Sequence, residues 1–407
     1  MTNLYEKERT VSHDNAYASL SLFTRSLNLN WELTLDDSQL EVTSISLRDT
    51  NDVVISSGSG KGKNHRVGAL AEAIEHYICF SRYREHEKVS IKKLLAQKEF
   101  STNWIFSEIE NSQMQETLEV EKFISLDTKN EVYVPVGLID PEVAAEKLKS
   151  RISLDAYICK FASNNGAALG LTQWDSILHG LNEVIERHYE SKLYQSIIGY
   201  RKNAPWYYYQ GKNNSLSMDK KKEAESLGGR AMVIYTPTIA GTYVAFAFYC
   251  DARNYLISPI GAGSSMYKDL AAQRALDELV QSLVIIREGD DNLKKGDEFY
   301  HSFLSSNKGL KPLINFPLKN ILKILTKNDH IEKLQEPLST KEQSTLIIKE
   351  LVSNGFTPLV KSYASSEVFL NHVFVPQFDM FFMIRRGVPV APPEIYAENN
   401  LEYISHY

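Results

Sequence analysis

Leu70-Ala-Glu72-Ala-Ile-Glu75 is the first of three closely similar segments in this sequence. The other two are Leu181-Asn-Glu183-Val-Ile-Glu186 and Leu276-Asp-Glu278-Leu-Val-Gln281, and a stretch that contains glycine precedes each of the three. On a helix, residues three apart share a face, so each segment would present two acidic or amide side chains above buried apolar residues. Converging carboxylates repel one another unless cations lie between them, and carboxylate oxygens suit Mg²⁺. The recurrence therefore predicts a magnesium site built from three helices.

Length and charge limit the classes of protein to which this chain can belong. With 407 residues, 43% of them hydrophobic, it can bury a large core in one large domain or two closely joined ones. The net charge of −6 gives no reason to expect a nucleic acid, since the basic run 220–222 is short. The three cysteines are widely separated, which does not favour disulfides or zinc and fits a reducing cytoplasm. Neither a signal peptide nor a membrane-spanning run is visible, so we expect a soluble cytoplasmic protein.

Strand and helix patterns intermix along the chain, which indicates an α/β or α+β core. The sequence predicts strands at 40–47, 132–138, 357–363 and 373–382, and a hairpin at 231–249 that turns at 237–241. It predicts helices at 65–83, 172–198, 268–287 and 341–353, the last behind a capping box of Ser339 and Glu342. Residues 288–335 are polar and rich in lysine, and they are the portion that fits these patterns least.

The stretches before the three helices, 56–63, 163–170 and 261–265, are rich in glycine. Backbone N–H groups can approach an anion closely where no side chain intervenes, and a helix N-terminus adds partial positive charge. The first stretch is predicted to be a flexible loop that resembles a P-loop, except that Asn64 stands where Ser or Thr would follow the lysine. Because Glu72 and Glu75 follow it, we expect phosphate donors beside metal ligands. The alternative is an ordinary flexible turn.

Arg187 directly follows the second glutamate of the second segment. A guanidinium group matches phosphate oxygens in bidentate fashion, so Arg187 is a candidate phosphate clamp. The alternative is that it pairs with a glutamate of its own helix, such as Glu190. For any one segment, an exposed amphipathic helix would also explain the paired glutamates, but three matching copies favour a site.

Three longer runs carry a resemblance to a known family. They are GKGKNHRVGALAEAIEHY (60–77), SNNGAALGLTQWDSILHGLNEVIERHY (163–189) and GAGSSMYKDLAAQRALDELVQS (261–282). In order and spacing they resemble the YcaO family, and residues 341–380 resemble that family's C-terminal part. The likeness covers about 55–393 as one catalytic domain. It leaves an N-terminal segment 1–54 and a tail 394–407, with 288–335 as a candidate insertion that contacts a partner.

The resemblance implies a YcaO-type fold, with a mixed or antiparallel sheet core and helices that carry the Glu-x-x-Glu motifs. It implies that ATP and Mg²⁺ bind these helices and serve to activate a backbone amide of a ribosomally made precursor peptide. Our first reading is a cyclodehydratase that forms thiazoline or oxazoline rings in natural-product biosynthesis, such as that of a bacteriocin. Thioamidation and amidine formation are alternatives, and so is a non-catalytic docking subunit. No E1-like or leader-peptide-binding domain is visible in the sequence, so we expect a separate partner protein or a stand-alone enzyme. The family is often dimeric, so a homodimer is a further alternative.

The resemblance also assigns roles to individual residues. It implies that Arg187 and Glu186 act in catalysis. The expected metal ligands are Glu72, Glu75, Asp175, Glu183, Glu186 and Glu278. The expected nucleotide contacts are Lys61, Ser163, Asn164, Gly166, Arg187, Arg274 and Gln281.

Several positions depart from the family pattern. Gly68 stands where Ser is usual, His76 where Arg is usual, and Asp175 where Glu is usual. Ala168 and Leu171 replace residues that are commonly polar. Many members end in Pro-x-Pro-x-Pro, whereas here the prolines of 388–393 are followed by fourteen further residues. These departures bear on the exact reaction and on any role of the chain terminus.

Overall fold

Short strands run through most of this chain. The computed structural model describes residues 8–80, 86–101, 103–106, 109, 113–150, 154–200, 204–211, 216–288, 291–327 and 337–388. The strands in these ranges are β1 Asn30–Asp37, β2 Val42–Arg48, β3 Val54–Lys61, β4 Glu87–Ser90, β5 Thr117–Ser125, β6 Glu131–Pro135, β7 Ala167–Gly170, β8 Tyr207–Tyr208, β9 Ala231–Pro237, β10 Tyr243–Tyr249, β11 Ile260–Ser265, β12 Leu359–Ser365 and β13 Phe369–Phe374.

Helices of very different length separate these strands. The α-helices in the described ranges are α1 His13–Ser26, α2 His65–Phe80, α3 Ile91–Leu95, α4 Val136–Ile139, α5 Pro141–Lys147, α6 Leu154–Cys159, α7 Gln173–Ile197, α8 Leu216–Ser226, α9 Lys268–Glu288, α10 Asp291–Ser306, α11 Pro312–Asn315, α12 Leu318–Ile324 and α13 Thr340–Ser353. Short 3₁₀ helices lie at Gly62–Asn64, Trp104–Phe106, Leu148–Ser150 and Phe381–Arg386. Among the described residues, no helix is both long enough and apolar enough to cross a membrane.

The described strands form three antiparallel sheets. Their orders are β1-β2-β3, then β11-β10-β9-β8, and then β4-β5-β12-β13-β7 with β6 also paired to β5. Each of the three glycine-containing strands, β3, β7 and β11, lies at the edge of a different sheet. Each is followed in the chain by one of the long helices, α2, α7 or α9. The fold therefore contains three strand-helix units, one for each of the similar sequence segments.

The glycines of these strands let the following helix approach the strand backbone. A Cβ atom added to Gly58 would lie 2.3 Å from the backbone N of Ala73, and one added to Gly60 would lie 1.6 Å from the carbonyl O of His65. A side chain at either position would displace helix backbone, so only glycine permits this distance.

The same contacts recur in the third unit. A Cβ atom on Gly261 would lie 2.1 Å from the carbonyl O of Ala275, and one on Gly263 would lie 2.3 Å from that of Ala271. Ala275 precedes Leu276 as Ala69 precedes Leu70, and in both helices this alanine is fully buried. The similar segments are therefore similar because they make the same strand-helix packing.

The three units follow one another in a ring. Helix α2 contacts its own strand β3 and also β7, α7 contacts β7 and also β11, and α9 contacts β11 and also β3. Each helix thus lies between its own strand and the strand of the next unit. Helix α7 is buried along most of its length, because sheets and helices cover it on several sides. The glutamate pair of the second segment, Glu183 and Glu186 on α7, therefore lies inside the molecule rather than on an exposed face.

Most of the predicted long elements are confirmed. Helix α7 begins after the N-cap Thr172, whose side chain accepts a hydrogen bond from the N–H of Asp175 at 3.2 Å. Strands β9 and β10 form the predicted hairpin, with Pro237 opposite Tyr243. The capping box of Ser339 and Glu342 is present at the start of α13. Each is a local pattern that neighbouring residues in sequence are sufficient to form.

One of the sequence-based predictions is wrong, and the bounds of two predicted strands differ from those observed. The stretch 56–63 is not a flexible loop: its residues 56–61 form most of strand β3, whose glycines face the backbone of α2, and 62–63 begin a short 3₁₀ helix. The strand predicted at 132–138 ends at Pro135, which is the N-cap of the short helix α4. The strand predicted at 373–382 is displaced to Phe369–Phe374, since Pro376 follows and cannot donate to a sheet ladder.

The polar region 288–335 is joined to the main core where the structure describes it. Leu304, Leu310, Leu313, Phe316 and Ile321 are buried in the same cluster as the residues of α7. Residues 289–290 and 328–336 lie outside the described ranges. So do the proline-containing segment from 389 onward and the tail 394–407.

Candidate functional site

The three unit helices bring carboxylates from distant parts of the chain into mutual electrostatic range. Glu75 on α2 is affected by the charges of Glu183 on α7 and of Glu72. Glu186 on α7 is affected in turn by Glu278 on α9 and by Glu183. The convergence predicted from the three sequence segments is therefore present in the structure.

Backbone N–H groups of the edge strands orient these carboxylates. The N–H of Ser59 in β3 donates to Oε2 of Glu72 at 2.9 Å, and the N–H of Leu169 in β7 donates to Oε2 of Glu75 at 2.9 Å. Gly166, just before β7, donates its N–H to Glu183. An edge strand has unpaired N–H groups, so here its free edge serves to fix the glutamates.

Burial makes these carboxylates reluctant to ionise. It raises the pKa of Glu75 well above its ordinary value, helped by the charges of Glu183 and Glu72. It raises the pKa of Glu183 to about 6, although Arg187 acts against the change. Burial also raises the pKa of Glu186, again against Arg187. A cation placed among these carboxylates would stabilise their ionised form.

Two cationic side chains enter the same cluster. Lys61, the last residue of β3, forms an ion pair with Glu278. Burial opposes ionisation of Glu278, but the charges of Lys61 and Arg187 outweigh it and lower the pKa of Glu278. Lys61 therefore joins the first unit to the third, as the contact between β3 and α9 requires.

Arg187 is held mainly by its own helix. Its Nη1 lies 2.9 Å from Oε2 of Glu190, and its Nη2 lies 3.6 Å from Oε1 of Glu186. Tyr194 donates its O–H to the other oxygen of Glu190 at 2.5 Å. The pairing with Glu190 that was considered as an alternative is thus present. It fixes the guanidinium beside the carboxylate cluster, so the two interpretations of Arg187 are compatible.

Asp175 lies apart from the five glutamates. It sits in the first turn of α7, two turns before Glu183, where it accepts the O–H of Thr10 at 2.6 Å. Eight residues of helix correspond to about 12 Å along the axis. Sequence similarity placed Asp175 among the metal ligands, but the structure does not bring it to them.

Arg274 on α9 meets a residue that the sequence did not single out. Its Nη1 lies 2.7 Å from Oε2 of Glu8 and donates to the carbonyl O of Ser264 at 2.8 Å. Glu8 is only 1% exposed and also accepts the O–H of Ser265 at 2.5 Å. No local pattern marks Glu8, because its partners are more than 250 residues away in sequence.

The loop before β7 is folded on itself. The N–H of Asn165 donates to Oγ of Ser163 at 3.1 Å, and the N–H of Ala167 donates to the carbonyl O of Asn164 at 3.0 Å. Gly166 has φ of +90°, and a Cβ atom there would lie 2.1 Å from the carbonyl O of Val373. Gln281 lies one turn after Glu278 on α9 and is half-buried. Of these residues, Gly166 reaches the carboxylate cluster, through its N–H to Glu183.

The donor set has the ligand chemistry of a magnesium site, although its side chains are not yet grouped as metal ligands. It consists of carboxylate oxygens, which Mg²⁺ prefers, and several of them are buried like charges that need compensation. Within the described ranges, no three side chains of His, Cys, Asp or Glu are already grouped tightly enough to hold a metal ion. Lys61 and Arg187 supply part of the positive charge instead.

Comparisons with known proteins identify one family. The sequence profile of the YcaO family, described as a cyclodehydratase that binds ATP and Mg²⁺, matches residues 59–379. A search among curated proteins finds no match. The structure of YcaO from Methanopyrus kandleri bound with AMPPCP and Mg²⁺ is similar, with a TM-score of 0.62, 17% identity, and coverage of 95% of this chain and 97% of that one.

Two further solved structures are similar in fold. One is the E. coli microcin synthetase McbBCD complex with pro-MccB17 bound (TM-score 0.60, 15% identity, 86% of this chain and 88% of that one). The other is a heterocyclase in complex with substrate and cofactor (TM-score 0.63, 14% identity, 91% of this chain and 53% of that one). At these identities the likeness shows the fold, and the sequence profile shows the family. This chain belongs to the YcaO family, whose members bind ATP and Mg²⁺.

Proposed function

We propose that this protein is an ATP- and Mg²⁺-dependent cyclodehydratase that acts on a ribosomally made peptide. The observation that supports it most is the convergence of five helix carboxylates, with Arg187 and Lys61, inside a YcaO chain. When bound, ATP supplies the phosphoryl group that activates a backbone amide oxygen, and Mg²⁺ neutralises the phosphates. A Cys, Ser or Thr side chain of the peptide would add to the preceding backbone carbonyl, the resulting oxyanion would take that phosphoryl group, and loss of phosphate would leave a thiazoline or oxazoline ring.

The residues of the chain have a division of labour in this proposal. Glu72, Glu75, Glu183, Glu186 and Glu278 would hold the metal ions. Arg187 would bind phosphate oxygens and stabilise charge that develops during transfer. Glu190 would keep the guanidinium of Arg187 directed at the cluster, because the two carboxylate oxygens of Glu190 are bonded to Arg187 and to Tyr194. Catalysis would then depend on positioning and on electrostatics rather than on a protein nucleophile.

The nucleotide would extend from the carboxylates toward neighbouring polar groups. We assign this pocket to Lys61, Ser163, Asn164, Gly166, Arg274 and Gln281. Lys61 would exchange its partner Glu278 for a phosphate when Mg²⁺ takes over that carboxylate. Asp175 remains a metal ligand only if α7 and the segment at Thr10 rearrange, because it is now bonded to Thr10.

A partner protein is part of the proposal. The similar E. coli microcin synthetase is a complex of several proteins with pro-MccB17 bound. By analogy, this chain would receive its peptide with help from a separate leader-peptide-binding protein. An ATP-dependent thioamide or amidine synthesis would use the same carboxylates. Product mass distinguishes thioamidation, which replaces oxygen by sulfur, from loss of one water per ring. Amidine formation also loses one water, so fragmentation must show whether an amine or a Cys, Ser or Thr side chain has reacted.

Calorimetric titration with a non-hydrolysable ATP analogue, with and without Mg²⁺, tests the site. We expect binding that requires Mg²⁺ and that is lost in Glu186→Gln, because the amide cannot replace a charged ligand. Glu350→Gln on the exposed side of α13 is the matched control and should bind normally. Binding that is equal in Glu186→Gln and in the natural chain would contradict the assignment.

A non-catalytic docking subunit is the second candidate function. Gly68, where Ser is usual in the family, and Leu171, where a polar residue is common, favour it. The buried Ala168, at a position that is commonly polar in the family, favours it as well. This candidate predicts no binding of the analogue in any variant, and higher stability in Glu186→Gln from relieved repulsion.

A further inference from the structure

Helix α12 presents an unusual surface beyond the carboxylate cluster. Its inner side is fixed by Ile321, which is fully buried, and by Asn320, which donates to the carbonyl O of Ile197 at the end of α7. Its outer side carries Leu318, which is 39% exposed, and Leu322, which is 57% exposed. Two apolar side chains one turn apart therefore face solvent on a short helix.

Positive charge surrounds these leucines. Residues 299–327 contain five lysines and no aspartate or glutamate, in a chain whose net charge is −6. Lys319, Lys323 and Lys327 are exposed on α12 and just after it. In the ranges that the structure describes, none of these three lysines forms an ion pair. Asp251 lies at the start of α12, where its carboxylate accepts the N–H of Leu318 at 3.1 Å. The surface is thus both basic and apolar.

An open cavity lies beside α12. It has a volume of about 400 Å³, and its lining includes Pro205, Trp206, Lys323 and Ile324. Hydrogen bonds join three of its lining residues: the N–H of Thr326 donates to the carbonyl O of Trp206 at 2.7 Å, and the indole N–H of Trp206 donates to Oγ of Ser196 at 3.3 Å. This volume accommodates a few side chains of a peptide and not a folded domain. We call the cavity and the outer side of α12 the basic groove.

The basic groove is connected to the candidate active site through α7. Ser196 lines the cavity, and it follows Arg187 on the same helix by two and a half turns. That separation is about 14 Å along the helix axis. The half turn also places Arg187 and Ser196 on opposite faces of α7, so an extended peptide, at about 3.3 Å per residue, would need a spacer longer than four or five residues to pass around the helix.

We propose that the basic groove binds an acidic, apolar segment of the peptide substrate, remote from the amide that reacts. This deepens the proposed function and rests on it for the statement that the substrate is a peptide. Exposed lysines match acidic side chains, and the leucines and the cavity match apolar ones. An anionic bilayer is a weaker match, because a flat surface cannot enter a cavity. Binding at this distance would raise the local concentration of the reacting segment.

Fluorescence anisotropy of the full chain with short labelled peptides tests this proposal without nucleotide or turnover. The first probe alternates Glu and Leu, the second replaces each Glu by Gln, and the third scrambles the apolar positions. We expect the first probe to bind best and to weaken as salt is added. Lys319→Glu, Lys323→Glu and Lys327→Glu together should weaken it by about tenfold or more, because three attractions become repulsions.

A matched variant controls for net charge. Lys92→Glu, Lys98→Glu and Lys349→Glu change the charge equally on exposed helices or loops elsewhere and should leave binding of the first probe unchanged. Equal weakening in both triple variants, no binding of the first probe, or better binding of anionic vesicles or an oligonucleotide would overturn the proposal.

Titration of the ATP analogue into the same variants separates this proposal from the proposed function. The basic-groove variant should still bind the analogue with Mg²⁺, since its lysines lie outside the carboxylate cluster. Loss of peptide binding with retained analogue binding supports the groove. Retained peptide binding in a chain that never binds the analogue would instead sink the enzyme and leave the groove standing.

Discussion

The first and third strand-helix units have the same backbone and different chemistry. In both, two strand glycines meet the helix backbone at corresponding positions, Gly58 with Gly261 and Gly60 with Gly263. Yet the first unit carries Glu75 where the third carries the neutral Gln281. The glycines are thus required by packing, while the polar positions of the helices are free to differ. The comparison separates residues that make the fold from residues that make the site.

The largest effect should come from removing a shared glycine. Gly60→Ala would place a Cβ atom 1.6 Å from the carbonyl O of His65, so α2 must move away from β3. Overpacking of a core costs about 1–3 kcal/mol, and a clash with backbone should cost more. We expect a protein that unfolds at much lower urea concentration or fails to fold, and Gly263→Ala should behave alike if the units are equivalent.

Gly68→Ala is the matched control for that experiment. Gly68 lies on α2 against the same strand, but a Cβ atom there would be 3.4 Å from Cα of Gly60, an ordinary contact. Alanine is favoured over glycine inside a helix by about 1 kcal/mol, so this variant should be as stable as the natural chain or more so. Equal loss of stability in Gly60→Ala and Gly68→Ala would break the packing argument.

Exchanging the distinguishing polar residues should affect nucleotide binding. Glu75→Gln keeps an acceptor for the N–H of Leu169 but removes a buried charge. We expect the Mg²⁺-dependent affinity for the ATP analogue to fall by about 100-fold, as for loss of a metal-site group, and thermal stability without Mg²⁺ to rise. The measurements are calorimetry and the unfolding temperature.

Gln281→Glu makes the third unit resemble the first. It adds a negative charge near Glu278 and should lower stability without Mg²⁺ by about 1 kcal/mol, the equivalent of roughly one unit of pKa. Addition of Mg²⁺ with the analogue should recover part of that loss. If Glu75→Gln and Gln281→Glu shift stability in the same direction, the electrostatic account of the cluster is wrong.

A smaller effect is expected from Glu190, which acts through Arg187. Glu190→Gln weakens the interaction of 2.9 Å with Nη1 of Arg187 and should reduce analogue affinity by about tenfold, as for residues that orient a ligand. Tyr194→Phe removes one hydrogen bond to Glu190 and should have a lesser effect in the same direction. Glu190→Asp should restore part of the affinity. Unchanged binding in all three variants would show that Arg187 needs no such support.

The last prediction concerns the dependence of stability on pH. The pKa of Glu183 is raised to about 6 by burial, so the folded protein binds more protons than the unfolded chain above the ordinary range of a glutamate. Stability without Mg²⁺ therefore falls as pH rises between roughly 4 and 7, by about 2 kcal/mol for this group. Glu183→Gln should flatten that slope in thermal unfolding measured across the range. A slope that is identical in the variant would remove Glu183 from the explanation.

Much of the fold could be predicted from local sequence. The long helices, the hairpin of β9 and β10 and the capping box of Ser339 all rest on interactions between neighbouring residues. The recurrence of the three segments also identified the helices that meet, because similar segments make similar contacts between a strand and the helix that follows it. The family resemblance followed from those same segments.

The nature of the glycine stretches was decided by tertiary structure. In sequence they resemble phosphate-binding loops, since glycine permits close approach to any partner. The structure shows that the partner of Gly58 and Gly60 is helix backbone, and that N–H groups at the free strand edges donate to the carboxylates of Glu72 and Glu75. A glycine in the sequence shows that another group can approach the backbone closely there, but not which group it is.

The sequence by itself determined the family, the main helices and the five glutamates with Arg187 as the charged centre. Only the tertiary structure decided which groups surround that centre. It engages Asp175 with Thr10, brings Glu8 to Arg274, and places the lysines of α12 beside the cavity at Trp206. The physical reason is range. Capping and helix periodicity act over a few residues, whereas charge pairing and burial depend on residues that are adjacent only after the chain has folded.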